Sequence, residues 1–228
     1  MPIADIVRVG DRPYAFKVRG PELAEFRLLS SHCHAKLFFN NAKNLPQRRD
    51  YTPVRFDERW QELTLIFVVR DGGSARDWAL DLQTGVKVSA GRPRGSMIIS
   101  GDLGWYPPVD DLTAWLAVER RLQELADATH SVVIVQSNDV RDLAALPQRP
   151  NMVAKHVGTS GDVLQAAREL LLPPDETSGN GFAWCAGEAS TMAQLRHVLI
   201  NERGLPRTQV KASAYWKPGA EGFHESLE

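Results

Sequence analysis

The segment RRDYTPVR, residues 48–55, combines arginines, an aromatic ring and a hydroxyl in a stretch that favours extended backbone. Side chains two residues apart share one face of a β-strand, so Arg49 and Tyr51 are predicted to point the same way and Thr52 the other. A fixed cation beside a flat ring suits a flat ligand that carries a phosphate. A surface strand with a cross-strand aromatic pair is the structural alternative.

The composition around this segment is that of an ordinary globular protein. The 228 residues are 43% hydrophobic and 24% charged, with a net charge of -1, so no overall field favours nucleic acid or an anionic membrane. The first ten residues, MPIADIVRVG, lack the apolar core of a signal peptide, and no apolar run is long enough to span a bilayer. Cys33 and Cys185 lie far apart and form no paired motif. We therefore expect a cytoplasmic protein with neither nucleic-acid nor membrane partners.

The first hundred residues predict an antiparallel β domain. Short β-favouring runs at residues 14–18, 35–39, 51–56, 63–69 and 86–90 are separated by glycine, proline and asparagine turns. Strands at such intervals are typical of a barrel or a sandwich. One helical piece, residues 74–82, interrupts them.

The second half of the chain predicts an α/β domain. Apolar strands are predicted at residues 132–135, 153–157, 182–186 and 209–215, and segments with helical periodicity lie before or between them. This alternation indicates a mostly parallel sheet with helices on both faces. The predicted domains are therefore 1–100 and 101–228.

Two glycine-containing turns are candidates for ligand contact. GGSARDWA, residues 72–79, joins a glycine pair to a helix start, whose N–H groups and dipole suit a phosphate. WCAGEAS, residues 184–190, runs from a strand through Gly187 into a helix, at the strand end where parallel sheets bind ligands. A capped helix and an ordinary strand-to-helix turn are the structural alternatives. His32 and His34 have no second ligand cluster, so no metal site is predicted.

Six motifs together resemble a known family. RRDYTPVR, GGSARDWA, AGRPRG, DLTAWLA, WCAGEAS and YWKPG occur in the order and spacing of the siderophore-interacting proteins, from about Phe16 to Gly219. These are bacterial ferric-siderophore reductases related to the ferredoxin-reductase flavoenzymes. The resemblance implies an antiparallel β-barrel that binds FAD, followed by a Rossmann-like α/β domain with a parallel sheet that binds NAD(P)H.

The resemblance also implies the residues of the site. The implied FAD contacts are Arg49, Asp50, Tyr51, Thr52, Arg70, Gly73, Ser74, Ala75, Trp78, Thr113 and Trp216. The implied nicotinamide contacts are Asp111, Thr113, Ala114, Gly187 and Glu188. Lys36 and Lys217 are the predicted substrate-side cations. No side-chain nucleophile or general acid is required, because the flavin mediates the electron transfer.

The chain departs from the family pattern at several positions near these sites. Arg70 replaces a usual histidine, Asp110 a glycine, and Leu112 and Leu116 a glutamate and a proline. The segment before Asp111, normally an apolar strand, contains two consecutive prolines. Because proline cannot donate to a ladder, the sequence predicts that this segment fits a central strand poorly.

The resemblance implies an FAD-dependent enzyme that reduces Fe(III) in ferric siderophores to Fe(II) in the cytoplasm, acting as a monomer. Its electron donor is NADPH or NADH, with a ferredoxin as the alternative. A neutral Gln136 followed by Ser137, Asn138 and Arg141 leans towards the 2′-phosphate of NADPH. A flavin-dependent electron-transfer enzyme with another acceptor and a non-catalytic siderophore-binding protein are the alternative functions.

Overall fold

The computed structural model describes residues 1–8, 13–27, 34–40, 45–68, 78–91, 99, 102–171, 180–220, 223 and 225–227. The chain divides into two compact units, Met1–Ile98 and Ile99–Glu228, and each has its own hydrophobic core. The sequence prediction placed this division after residue 100.

The described strands of the first unit form two antiparallel sheets. The strands are β1 (Ile3–Arg8), β2 (Pro13–Arg19), β3 (Ala35–Asn40), β4 (Pro46–Tyr51), β5 (Pro53–Asp57), β6 (Glu62–Val68) and β7 (Ser89–Ala90). One sheet has the order β1-β2-β6-β5 and the other the order β4-β3-β7. A short 3-10 helix, Pro21–Leu23, follows β2.

The segment RRDYTPVR bridges both sheets. β4 ends at Tyr51 in one sheet, Thr52 forms the corner, and β5 begins at Pro53 in the other. The prediction of a single strand over residues 51–56 is therefore wrong. Pro53 explains the break, because a residue without an N–H is tolerated at the start of a strand but interrupts a continuous ladder.

The core of the first unit follows the strand alternation. Phe16 and Val18 of β2 face Leu63 and Leu65 of β6, and all four side chains are buried. Side chains from both sheets belong to this one cluster, as the barrel prediction requires. We estimate that each large apolar side chain buried here contributes about 1.5–3 kcal/mol.

The second unit is built on one six-stranded sheet. Its elements are β8 (Pro108–Asp110), α1 (Trp115–Glu124), β9 (Ser131–Gln136), β10 (Met152–Val157), α2 (Ser160–Arg168), β11 (Ala183–Glu188), α3 (Ala189–His197), β12 (Val210–Trp216) and β13 (Glu225–Leu227). The strand order is β10-β9-β8-β11-β12-β13, and every pairing is parallel except that of β13. A π-helical turn, Val198–Glu202, continues α3, and 3-10 turns lie at Val140–Ala145 and Arg207–Gln209.

Helices cover both faces of this sheet, as the sequence alternation predicts. On one face, Val109, Ile134 and Cys185 pack in a cluster with the apolar sides of α2 and α3. On the other face, the guanidinium of Arg121 in α1 lies 5.6 Å from the centroid of the Tyr106 ring. The chain therefore has the doubly wound arrangement in which ligands bind at the carboxyl ends of the strands.

The start of α2 illustrates how local sequence fixes these elements. Asp162 N donates to Thr159 Oγ at 3.2 Å, and Thr159 N donates to Asp162 Oδ2 at 3.0 Å. This reciprocal capping box satisfies two N–H groups that a helix end would otherwise leave unpaired.

Of the two prolines before Asp111, Pro108 lies in a central strand of the sheet and Pro107 precedes that strand. Pro108 is the first residue of β8 and pairs only with Trp184 of β11. Tyr106 N donates to His130 O at 2.8 Å, and Phe182 N donates to Trp105 O at 3.2 Å, so ordinary hydrogen bonds hold the chain before the prolines. This agrees with the prediction that two prolines do not both fit a central ladder, because Pro107 lies outside β8 and Pro108 occupies only its first position, where a missing N–H is tolerated. Among the helices of the described residues, none is long and apolar enough to cross a bilayer.

Candidate cofactor and nicotinamide sites

Strand β4 presents the cation and the ring that its sequence predicts. Arg49 and Tyr51 are both half-buried and share one face of the strand. Arg49 Nη1 donates to Arg48 O at 2.8 Å. Burial raises the pKa of the Tyr51 phenol, and the nearby Arg49 cation offsets only part of this rise. The hydroxyl therefore stays protonated at physiological pH, beside a fixed positive charge.

This arrangement fits a flavin dinucleotide. A guanidinium can pair with phosphate oxygens, and a neutral phenol can contact a flat ring or donate a hydrogen bond to it. Trp78, a further predicted FAD contact, stacks on Phe39 at 4.2 Å and lies edge-on to Phe16 at 6.2 Å. Its ring thus packs against the core of the unit. The remaining predicted contacts Arg70, Gly73, Ser74 and Ala75 lie outside the described residues.

Lys36 and Asp50 lie opposite each other on β3 and β4. Their side chains form an ion pair, with Lys36 Nζ 3.0 Å from Asp50 Oδ2. The sequence assigned these residues to different ligands, Lys36 to the siderophore and Asp50 to FAD. Pairing reduces the net positive charge that Lys36 offers to an anionic substrate.

The strand order of the second unit places its candidate site between β8 and β11. The chain continues from β8 to β9 on one side and from β11 to β12 on the other, so the direction of winding reverses at this pair. Open α/β sheets bind ligands in the crevice beyond such a switch point. Asp111 follows β8, while Gly187 and Glu188 end β11 and Trp216 ends β12. The structure therefore brings together four of the predicted site residues.

The carboxylate of Asp111 is the centre of this group. Its Oδ2 accepts from Glu188 N at 2.9 Å and from Trp216 Nε1 at 2.7 Å. Its Oδ1 accepts from Thr113 N at 3.2 Å and also from the Thr113 hydroxyl. Asp111 thus joins the ends of three strands, a relationship that the motifs taken singly do not reveal.

Gly187 makes room for this carboxylate. A Cβ at position 187 would lie 2.8 Å from Asp111 Cγ, well inside van der Waals contact. The sequence interpretation was that glycine lets a ligand approach the backbone. The neighbour that approaches in the structure is the side chain of Asp111.

The turn after β8 is strained and internally bonded. Leu112 adopts a φ of 70°, in the left-handed region that costs a bulky residue about 1–2 kcal/mol. Ala114 N donates to the buried Asp110 Oδ1 at 2.8 Å, and the Ala114 side chain is itself buried. Stored strain of this kind is found at functional sites, where the surrounding contacts hold the backbone in place. The N–H of Ala114, a predicted nicotinamide contact, is already engaged within the protein.

Glu188 caps the amino end of α3. Its carboxylate accepts from Ser190 N at 2.9 Å and Thr191 N at 2.8 Å, and both hydroxyls lie within 3.0 Å of it. Burial raises the pKa of Glu188, but these hydrogen bonds lower it by more, so the net shift is downward. The chain's own anion therefore occupies the helix end that would otherwise suit a phosphate.

The carboxyl end of β9 carries a residue that the sequence interpretation missed. Asp139 accepts from Arg141 N at 2.9 Å and pairs with both Nε and Nη2 of the same arginine. The preference for a 2′-phosphate rested on the lack of an acid immediately after the strand, with Arg141 nearby, and did not consider Asp139. An acid two residues before the arginine was the available signal.

Lys217 and a cavity complete the description of this unit. Lys217 is exposed, and its Nζ lies 6.0 Å from the centroid of the Phe223 ring.

A cavity of about 410 Å³ opens at the amino ends of β9 and β10, and its lining includes Trp105 and Leu171. It lies at the end of the sheet opposite the carboxyl ends of the strands, which are the usual ligand site of this fold. The part of the chain that the structure describes holds no cluster of metal-ligating side chains.

Comparison with known proteins agrees with the two units. The model of the siderophore-interacting FAD-binding domain matches residues 41–97, and that of the siderophore-interacting protein matches residues 104–219. The NADPH-dependent ferric-chelate reductase of Escherichia coli is 30% identical over 171 residues, which cover 75% of this chain and 66% of that protein, just short of two thirds. Ferric vibriobactin reductase ViuB of Vibrio cholerae is 26% identical over 231 residues, which cover 90% of this chain and 85% of that protein.

A solved structure shares the whole fold. The siderophore utilization protein from T. fusca superimposes with a TM-score of 0.80 at 25% identity, covering 97% of this chain and 93% of that one. The predicted family, the predicted fold class and the predicted FAD cofactor are thereby confirmed. Because the second family model spans more than half of the sequence, this chain belongs to the siderophore-interacting protein family.

Proposed function

We propose that the protein is an FAD-dependent reductase that converts Fe(III) in ferric siderophores to Fe(II), with NADPH or NADH as electron donor. The observation that carries this proposal is the pairing of two units in one chain. The first matches a siderophore-interacting FAD-binding domain, and the second has a doubly wound sheet with predicted donor residues at its switch point. Relatives in E. coli and V. cholerae are named as ferric reductases, in agreement with the predicted enzyme class.

When bound, FAD supplies the link between a two-electron donor and one-electron reduction of iron. Arg49 and Tyr51 on β4 hold it in this proposal, with Asp50 and Thr52 beside them. The cation neutralises phosphate charge, and the protonated phenol adds a donor without adding negative charge. Arg70, Gly73, Ser74, Ala75 and Trp78 complete the proposed set.

The charges of the second unit orient the proposed donor. Asp111 and Glu188 place carboxylates at the carboxyl edge of the sheet, and Glu188 occupies the end of α3. This edge disfavours the diphosphate, and its carboxylates would stabilise the positive charge that the nicotinamide ring gains when the donor is oxidised. We therefore place the ring at the switch point, near Thr113 and Gly187, and the diphosphate farther out.

The iron complex needs positive charge at its entry. Siderophore oxygens are hard anionic donors that hold Fe(III) better than Fe(II), so reduction loosens the metal. Of the two predicted lysines, Lys217 is exposed, whereas Lys36 is paired with Asp50. We propose that Lys217 makes the larger contribution to attracting the complex and that iron is released in the cytoplasm.

Anaerobic reduction of the purified holoprotein tests the proposal. NADPH or NADH should bleach the visible flavin absorbance, and a ferric siderophore should restore it while a ferrous chelator reports Fe(II). Bleaching without reoxidation by any ferric siderophore would favour an electron-transfer enzyme with another acceptor. Reduction by ferredoxin alone would make ferredoxin the donor.

Siderophore binding without reduction by any donor would identify a binding protein and overturn the proposal. The predicted monomer is tested separately, by analytical ultracentrifugation of the same holoprotein.

A further inference from the structure

We infer that Asp111 is a positioning residue: its carboxylate fixes the indole ring of Trp216 as one wall of the donor crevice and does not itself bind the nicotinamide. This inference rests on the proposed function, because it assigns roles within the proposed donor site. It differs from the role that the family resemblance implies for Asp111, which is direct contact with the nicotinamide.

The hydrogen bonds of Asp111 are the first argument. A carboxylate offers about four acceptor positions in all, two on each oxygen. Four protein donors fill them, namely the N–H and hydroxyl of Thr113, the N–H of Glu188 and the indole N–H of Trp216. A nucleotide that used Asp111 as an acceptor would have to displace one of these donors. The side chain therefore acts within the protein.

The placement of the donors is the second argument. Thr113 lies in the turn after β8, Glu188 at the end of β11 and Trp216 at the end of β12. One carboxylate thus fixes the spacing of three strand ends around the switch point. Gly187 leaves the space that this carboxylate fills, since a Cβ there would lie 2.8 Å from Asp111 Cγ. Positions 111 and 187 are therefore complementary in shape.

The register of β12 is the third argument. Glu188 and Trp216 are partners across β11 and β12, so the indole lies beside the capped end of β11. Ala212 and Ala214 are buried, whereas Trp216, which follows a register shift in the pairing of β11 with β12, is half-buried. The ring therefore stands at the carboxyl edge, where a ligand of a doubly wound sheet binds.

The bond between the two side chains is strong enough to orient the ring. Trp216 Nε1 lies 2.7 Å from Asp111 Oδ2, and hydrogen bonds to an ionised acceptor are shorter and stronger than those between neutral groups. In Asp111→Asn the amide keeps the shape of the side chain but replaces one acceptor oxygen with a donor. The indole would then face either a donor or an uncharged acceptor, and the orientation of the ring would loosen.

A double-mutant cycle tests the inference. Dissociation constants for the oxidised, non-reacting nucleotides NADP⁺ and NAD⁺ are measured on the holoprotein by calorimetry, for wild type, Asp111→Asn, Trp216→Phe and the double variant. Each single change should weaken binding about tenfold, and the double change should add little, because both remove the same bond. Trp60→Phe, an exposed tryptophan in the first unit, is the matched control and should leave both constants unchanged.

Fluorine NMR of fluorotryptophan-labelled protein gives a readout that does not depend on turnover. The Trp216 signal, assigned by its absence in Trp216→Phe, should be narrow in wild type and shifted or broadened in Asp111→Asn. An unchanged signal would overturn the inference, as would fully additive losses of affinity in the double variant, because additivity would mean that Asp111 contacts the nucleotide directly.

If the wild-type holoprotein binds neither nucleotide, the proposed function is overturned, and so is the role of Trp216 as a wall of the donor crevice. The fluorine signal would still decide whether Asp111 fixes the ring. If Asp111→Asn folds poorly, Trp216→Phe alone tests the effect on affinity, since it keeps an aromatic side chain but removes the indole N–H donor. Unchanged nucleotide affinity in that variant would overturn the inference.

Discussion

Lys36 Nζ lies 3.0 Å from Asp50 Oδ2, across neighbouring strands of the sheet that carries the predicted FAD contacts Arg49 and Tyr51. Both side chains are partly exposed, so the pair is screened by solvent and is worth at most about 1 kcal/mol. Its consequence is therefore electrostatic and local, and it decides how much positive charge Lys36 offers to a ligand.

Asp50→Asn should strengthen binding of an anionic ferric siderophore by about two- to fivefold, because the substitution removes the carboxylate that neutralises Lys36. The measurement is quenching of tryptophan fluorescence at low salt, with a neutral ferric complex as the control ligand. FAD content is determined on the same samples. If Asp50→Asn binds the anionic complex and the neutral complex with the same affinities as wild type does, Lys36 does not face the substrate.

Arg49→Ala combined with Tyr51→Ala should weaken FAD binding by at least about tenfold, since a charged hydrogen bond and an aromatic contact are lost together. Titration of apoprotein with FAD, followed by quenching of flavin fluorescence, gives the dissociation constants. The matched control is Arg55→Ala, which removes an exposed arginine from the same segment beyond the corner at Thr52. An unchanged FAD affinity in the double variant would mean that this strand does not hold the cofactor.

Gly187→Ala should lower the free energy of unfolding by about 1–3 kcal/mol, because its Cβ would meet Asp111 Cγ at 2.8 Å. Urea denaturation of the holoprotein is the measurement. Gly158→Ala is the control, since the nearest atom to a Cβ there is Asp162 Oδ2 at 3.9 Å. Equal stability of both variants would show that the Asp111 carboxylate can move aside at little cost.

Glu188→Gln should destabilise the protein at neutral pH and lose this effect in acid. Hydrogen bonds from Ser190 and Thr191 outweigh burial and depress the folded-state pKa of Glu188, below an unfolded value of about 4.3. The stabilisation is therefore present above the unfolded pKa and is lost as pH falls through the folded pKa.

Unfolding free energies of wild type and Glu188→Gln, compared from pH about 7 down to about 3, test this dependence. The difference between the two proteins should shrink on acidification. A difference that stays constant with pH would show that Glu188 acts only through shape.

The sequence predicts the parts of this fold that depend on local pattern. Alternating apolar residues identify β2 and β6, and the buried run of β9 and the helical periodicity before and after it identify the α/β unit. β1 was missed, because Ile3, Ile6 and their neighbours read as an unremarkable amino-terminal run. Its pairing with β2 is a non-local contact that pattern alone does not reveal.

In the candidate site, too, local sequence pattern predicts individual residues but not the contacts between distant ones. The motifs identify Asp111, Gly187 and Trp216 individually, because strand ends and glycine turns have sequence signatures. The carboxylate that joins them depends on strand order and register, since Asp111 and Trp216 are 105 residues apart. Asp139 was overlooked for a similar reason, because its effect on Arg141 depends on side-chain geometry.

The antiparallel β13 has a consequence for the behaviour of the protein in concentrated solution. It pairs with β12 through Ala212, Ser213 and Ala214, so the backbone groups of that strand are already used. If β13 were absent, these backbone groups of β12 would be unpaired, and an unpaired strand is a template for pairing with another chain. We therefore expect that a chain shortened before Glu225 would expose β12 and be prone to self-association.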